Sequence, residues 1–200
     1  MAEPRKIPKQ ARSVVMVETI LEAAARILED DGIAQFNTNR IAQRAGISVG
    51  SLYQYFPSKD AIIAELIRIE HVQLLEDLKA MTAQLGDAPL QIAVREVVRV
   101  GVEGQLRRPA LSRSLDYLEP GLSPHGNGEA VDAEIRALVV GLLAPRLPRL
   151  RGKALTTAAA DLAAMSRGMI DAAGFRGETG QAPLVERVTR AALGYLAPWL

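Results

Sequence analysis

Hydroxyl side chains and a lysine are gathered in a short stretch. Ser48, Ser51, Tyr53 and Tyr55 fall close together, Thr38 precedes them and Lys59 follows. Such groups suit a phosphate backbone, because hydroxyls hydrogen-bond phosphate oxygens and an ammonium adds charge. A second chemistry overlaps the same residues. Gly46-Ile-Ser-Val-Gly50 fits the Gly-x-Ser-x-Gly pattern of a hydrolase nucleophile elbow, which needs a strand before the serine and a helix after it. The residues ahead of Gly46 have helical spacing instead, and the chain holds only two histidines, His71 and His125. The absence of cysteine excludes disulfides, thiolate metal sites and cysteine nucleophiles. No spacing of His and carboxylates suggests a metal centre, and Gly126-Asn-Gly128 lacks the third glycine and the preceding strand of a phosphate loop. The expectation is a binding protein without cofactor or metal, not an enzyme.

Two short helices around a glycine must position these groups. Thr38 reads as the cap of the first, whose Ile41, Ala42 and Ala45 share one face. Gly46 stands where a helix takes a left-handed terminal residue, and Ile47 can plug the corner. Ser48 then caps a second helix over about Val49 to Phe56, stopped by Pro57. With Leu52 and Phe56 facing the core, Val49, Gly50, Ser51, Tyr53 and Tyr55 are left on the outer faces. This is a helix-turn-helix, whose second helix enters the major groove with its N-terminal residues at base edges.

The run from Ile41 through Gly46-Ile-Ser-Val-Gly-Ser51 to Leu52-Tyr-Gln-Tyr-Phe-Pro-Ser-Lys59 resembles the DNA-binding signature of the TetR family of bacterial transcription regulators, densely over about residues 14–65. The resemblance implies an all-α homodimer with an N-terminal three-helix DNA-binding domain and a C-terminal helical domain for dimerisation and a small-molecule effector. It implies that Thr38 holds a phosphate, that Ser48, Val49, Gly50 and Ser51 approach bases or backbone, and that Tyr53, Tyr55 and Lys59 clamp phosphates. Val49 departs from the longer polar or basic residue of many members, which limits reading there to apolar contact such as a thymine methyl.

Two hundred residues, 48% of them hydrophobic, suffice for one body or two small domains. The formal charge of +1 excludes a bulk polyanion binder, but Arg5, Lys6, Lys9 and Arg12 make residues 1–12 a candidate flexible basic arm. A DNA-binding domain is expected over 13–60 and a ligand-binding and dimerisation domain over 61–200. No apolar run reaches membrane length and the first residues lack the apolar core of a signal peptide, so a cytoplasmic protein is expected.

Helices are expected over about Ser13–Asp30, with Val17, Ile20, Leu21, Ala24, Ile27 and Leu28 on one stripe, and from the Ser58 cap to about Gln84. Asp87 and Pro89 read as the cap and first turn of the next helix. The valine-rich stretch Leu90–Leu106 suits either strand or helix; helix is chosen because no partner strand is visible. Further helices are expected over Pro109–Glu119, Glu129–Leu143, Leu155–Ala173 and Pro183–Leu196, with a mobile loop over Pro120–Gly128 and a solvated basic segment around Arg146, Arg149 and Arg151. The last two helices are read as a four-helix interface between two copies. For the effector pocket, the candidates are His71, Tyr117, Met165, Met169 and Phe175; Arg107 and Arg108 read as a solvated pair or as partners of an anionic ligand. The function expected is a ligand-responsive repressor on a palindromic double-stranded operator. The alternatives are an activator of the same family or a helical small-molecule-binding protein without DNA function.

Overall fold

A computed structural model describes residues 9–122 and 128–200; the side chains of residues 9–12, 128 and 129 are not described. All regular structure among these residues is helical: α1 (Lys9–Asp30), α2 (Thr38–Ala45), α3 (Val49–Tyr55), α4 (Lys59–Leu85), α5 (Leu90–Arg107), α6 (Pro109–Leu118), α7 (Gly128–Leu143), α8 (Gly152–Phe175) and α9 (Gln181–Leu196). The basic arm falls largely on residues 1–8, outside the described residues, while Lys9–Arg12 are already helical. His125 and most of the expected loop after Pro120 also lie outside the described residues. Glu119–Gly121 form a short 3-10 turn.

The apolar stripe of α1 explains the N-terminal head. Ile20, Leu21, Ala24, Ile27 and Leu28 are buried with Phe36, with Ile41 and Ala42 of α2, and with Leu52 and Phe56 at α3. This core reaches past residue 60, taking Ile62, Ile63, Leu66 and Ile67 from α4 and Leu111 and Leu115 from α6. The second core belongs to α5, α7, α8 and α9, and the valines of α5 are helical: Val94, Val98 and Val102 lie in it at four-residue spacing. α4 joins the two. Its 27 residues span about 40 Å.

Two expected caps are replaced by neighbours. Asn37, not Thr38, caps α2: its Oδ1 accepts the Arg40 N–H at 3.0 Å, and Thr38 is the first helical residue. Asn is a strong cap and here has the extended backbone that a cap requires. Asp87 does not cap α5, which starts after Pro89 with no side-chain cap. The ring of Pro89 fixes its own φ at −54°, and its carbonyl accepts the first helical bond, from Ala93 N–H at 3.0 Å.

Arg146 is not a solvated side chain. It donates to the carbonyls of Gly86 at 2.7 Å, Ala88 at 2.8 Å and Leu142 at 2.9 Å, tying the end of α7 to the α4–α5 turn. Arg149 and Arg151 are exposed.

Candidate nucleic-acid interface

The turn between α2 and α3 follows from one residue's conformational freedom. Gly46 has φ 69°, a left-handed conformation, and donates to Gln43 O at 3.1 Å while Ile47 N–H reaches Ala42 O at 3.0 Å. This double bond pattern closes α2 and turns the chain sharply. Ile47 packs against the head's core, as the corner demands. Ser48 then caps α3, its Oγ accepting Ser51 N–H at 3.0 Å and lying 2.8 Å from Ser51 Oγ.

Leu52 and Phe56 anchor α3, and their direction sets every other side chain on it. At about 100° per residue, Gly50 and Gln54 lie opposite that anchor, with Ser51 and Tyr53 flanking them. Gly50, Tyr53 and Gln54 are exposed and Ser51 is half-buried. Val49 and Tyr55 are not fully outward. Both are half-buried and pack against the head's core, because they stand within about 60° of Leu52. Gln54, exposed four residues after Gly50 on the same face, joins the candidates that the sequence pattern alone offers less plainly.

Thr38 and Tyr53 are brought together across the turn. Thr38 Oγ1 lies 3.3 Å from Tyr53 Oη, so two hydroxyls from α2 and α3 face solvent as a pair. Thr38 also sits in the first turn of α2, where free backbone N–H groups attract anions. Lys59 is exposed at the start of α4, after the Ser58 cap that accepts Ala61 N–H at 3.1 Å. Arg40 and Arg44 are engaged on the surface of the head: Arg40 contacts Asp31 at 3.1 Å and Gln35 at 2.6 Å, and Arg44 contacts Asp30 at 2.5 Å. They fasten α2 to the end of α1, so the two tightest cations near the turn act on the protein's own carboxylates.

The five effector candidates lie on three helices, α4, α6 and α8, in different settings. His71 on α4 is half-buried, its Nδ1 3.2 Å from Asp132 Oδ1 on α7. Met165 and Met169 of α8 are half-buried against the C-terminal core, whereas Tyr117 and Phe175 are exposed by 68% and 55%. A cavity of about 460 Å³ lies instead between α4 and α5, walled by Asp77, Met81, Glu96, Arg99, Val100 and Arg107. Arg107 pairs with Asp77 there at 2.7 Å, and that bond holds the Asp77 carboxyl below its ordinary range. Arg108 is bound elsewhere, to Glu29 and Glu22 of α1. No group of three His, Asp or Glu side chains among the described residues is arranged to hold a metal.

Two sequence patterns match this chain: bacterial regulatory proteins of the tetR family over residues 20–66, and a tetracyclin repressor-like C-terminal domain over residues 89–196. The A-factor receptor protein of Streptomyces griseus is 30% identical over 66% of this chain and 46% of its own. The chain spans about half the length of the curated relatives it matches. Among solved structures, a TetR-family transcriptional regulator from Streptomyces coelicolor superposes with a TM-score of 0.71 at 20% identity, covering 94% of this chain and 99% of that one. Thermus thermophilus FadR, a TetR-family repressor in complex with lauroyl-CoA, superposes with a TM-score of 0.65 at 23% identity, covering 88% and 93%. At these identities the superpositions show a shared fold.

Proposed function

This chain belongs to the TetR family of bacterial regulatory proteins, and from that premise we propose that it binds a palindromic DNA operator as a homodimer and represses transcription until a small-molecule effector occupies its C-terminal half. The observation that carries this reading is the outward ridge of α3. Gly50 and Gln54 face away from the core between Ser51 and the Thr38–Tyr53 hydroxyl pair. The hydroxyls and Lys59 are the phosphate contacts that fix α3 in the major groove. The small Gly50 allows close backbone approach, and the Gln54 amide can pair with the N6 and N7 edge of adenine. Ser48 and Val49 lie at the leading end, where Val49 offers apolar contact alone. Tyr55 reaches backbone phosphate only with its hydroxyl, since its ring is part of the head's packing.

One short helix covers few base pairs, so two-fold symmetry is the physical route to specificity. Exposed residues Thr157, Asp161, Ala164 and Gly168 on α8, and Arg187, Arg190 and Gly194 on α9, recur at spacings of three and four. These small and polar rows support pairing of α8 and α9 with a second copy. The Thermus neighbour's lauroyl-CoA supports a small-molecule effector for this chain too. None of the described helices is long and apolar enough to cross a membrane, in keeping with action on DNA in the cytoplasm.

The test is selection from sheared genomic DNA at near-physiological salt, followed by sequencing of retained fragments. Enrichment of a shared palindrome, lost in the Tyr53→Ala, Lys59→Ala double variant at unchanged fold and mass, is the expected result. Uniform retention that vanishes with salt would mean non-specific charge attraction only and would refute the reading.

A further inference from the structure

One stripe of α5 alternates in charge. Glu96, Arg99, Glu103 and Arg107 recur at spacings of three and four, which places them on one side of the helix over about 16 Å. With Asp77 of α4 they wall the cavity between the two helices, whose volume of about 460 Å³ suits a small molecule. Its floor is apolar. Met81 of α4 and Val100 of α5, 9% and 5% exposed, form with Leu78 a third, smaller cluster apart from the two cores.

The hydrogen bonds of the walls decide which charge the cleft lacks. Three carboxylates, Asp77, Glu96 and Glu103, stand against two guanidiniums, Arg99 and Arg107, which leaves one negative charge over. Both oxygens of Asp77 are engaged, one by Gln73 at 2.9 Å and the other by Arg107 at 2.7 Å. Both oxygens of Glu103 are engaged too, by Gln181 at 2.8 Å and Arg99 at 2.6 Å. Glu96 is the exception. Its Oε2 accepts Arg99 Nε at 2.8 Å, while its Oε1 accepts no bond among the described residues. With its side chain 31% exposed, that oxygen is open to a solute.

We propose that the α4–α5 cleft binds a small organic monocation with an apolar body, its ammonium on Glu96 and its body over Met81 and Val100. An anion would have to displace a carboxylate from Arg99 or Arg107 and would still meet the excess negative charge. A neutral solute would gain the apolar floor alone. In making this ligand the effector, the inference rests on the regulatory reading and adds the site and the chemical class. The cleft also borders the head's anchor. Arg107 closes it on Asp77, and the next residue, Arg108, holds Glu29 and Glu22 of α1.

The test is isothermal titration calorimetry of the full chain at about pH 7.5 with octylammonium, octanol and octyl sulfate, each below its micelle concentration. Octylammonium, protonated at that pH, is expected to bind at least about tenfold more tightly than the other two. Glu96→Gln keeps the size of the side chain and should abolish that preference. Ala80→Trp, at an exposed position lining the cleft, should weaken binding by filling the space without changing charge. Equal affinity for the three probes, or a cation preference that survives Glu96→Gln, overturns the site. Retention of genomic DNA fragments is measured with and without octylammonium, and release at saturation is expected. Unchanged retention beside Glu96-dependent binding overturns the effector role. Glu96-dependent binding with no fragment retained at all keeps the site and removes the DNA reading, whereas retained fragments without a cation preference remove the site alone.

Discussion

A Cβ placed on Gly50 meets only Ser48 Oγ, at 3.8 Å, an ordinary contact. The protein itself therefore does not require glycine there. Glycine inside a helix costs about 0.5–1 kcal/mol relative to alanine, so Gly50→Ala should raise stability by that amount in urea denaturation. The same variant should bind operator fragments at least about tenfold more weakly, because the added methyl stands between α3 and the base edges. Gain in one assay and loss in the other separates a DNA-facing role from a folding role. Tyr53→Phe makes a gentler probe. It keeps the ring and removes the hydroxyl paired with Thr38, and the expected loss of affinity, equivalent to about 0.5–1.5 kcal/mol, should be uniform across operator sequences.

Between elements, the tie from the α5–α6 junction to α1 is a two-pronged ion pair. The fork of Arg108 meets both oxygens of Glu29, whose side chain is only 16% exposed, and that bond with Glu29 raises the guanidinium above its ordinary value. Arg108→Met would leave Glu29 buried without its partner. The expected loss is about 2 kcal/mol in chemical denaturation, partly recovered by adding Glu29→Gln. Recovery in the double variant identifies the penalty as an unpaired charge instead of lost packing. Arg146 does comparable work at the other end of the body, closing the α4–α5 turn through three carbonyls.

For the whole molecule, the pH dependence of stability can be signed. Asp171, Glu70 and Asp116 are raised, so the folded state holds more of their protons than the unfolded chain does. The effect of Asp171 is unfavourable in full above about pH 6 and fades as pH falls toward the ordinary carboxylate range, and those of Glu70 and Asp116 have the same sign. Asp77 and Asp132 are lowered, the first by its bond to Arg107 and the second by its bond to His71, and they contribute stability that is lost on acidification. Asp171→Asn should therefore stabilise the protein at pH 7.5 by roughly 1 kcal/mol after solvent screening, with the difference shrinking to nothing near pH 4, as thermal denaturation would show. Assembly is tested by Ala164→Arg. The site is exposed in the single chain, so helicity should persist while sedimentation shows the mass of one chain in place of two.

The sequence by itself determined what is local. Helical spacing, Gly46, Ser48 and Ser58 fixed the helix-turn-helix and the start of α4, and the Tyr-x-Tyr-Phe-x-x-Lys run carried the family. These features depend on neighbours within a few residues, where backbone geometry and capping decide the outcome. The valine-rich α5 is helical, its Val94, Val98 and Val102 recurring at four-residue spacing toward one core. Tertiary structure decided what depends on distant partners. The Thr38–Tyr53 pair spans the turn, Val49 and Tyr55 are drawn partly into the head, and Arg40, Arg44, Arg108 and Arg146 are each engaged with groups elsewhere in the chain. A long cationic side chain carries no local mark of the carboxylate or carbonyl it will meet. Nor does a carboxyl such as Asp171 reveal that folding will surround it with others, since burial and repulsion are properties of the packed molecule.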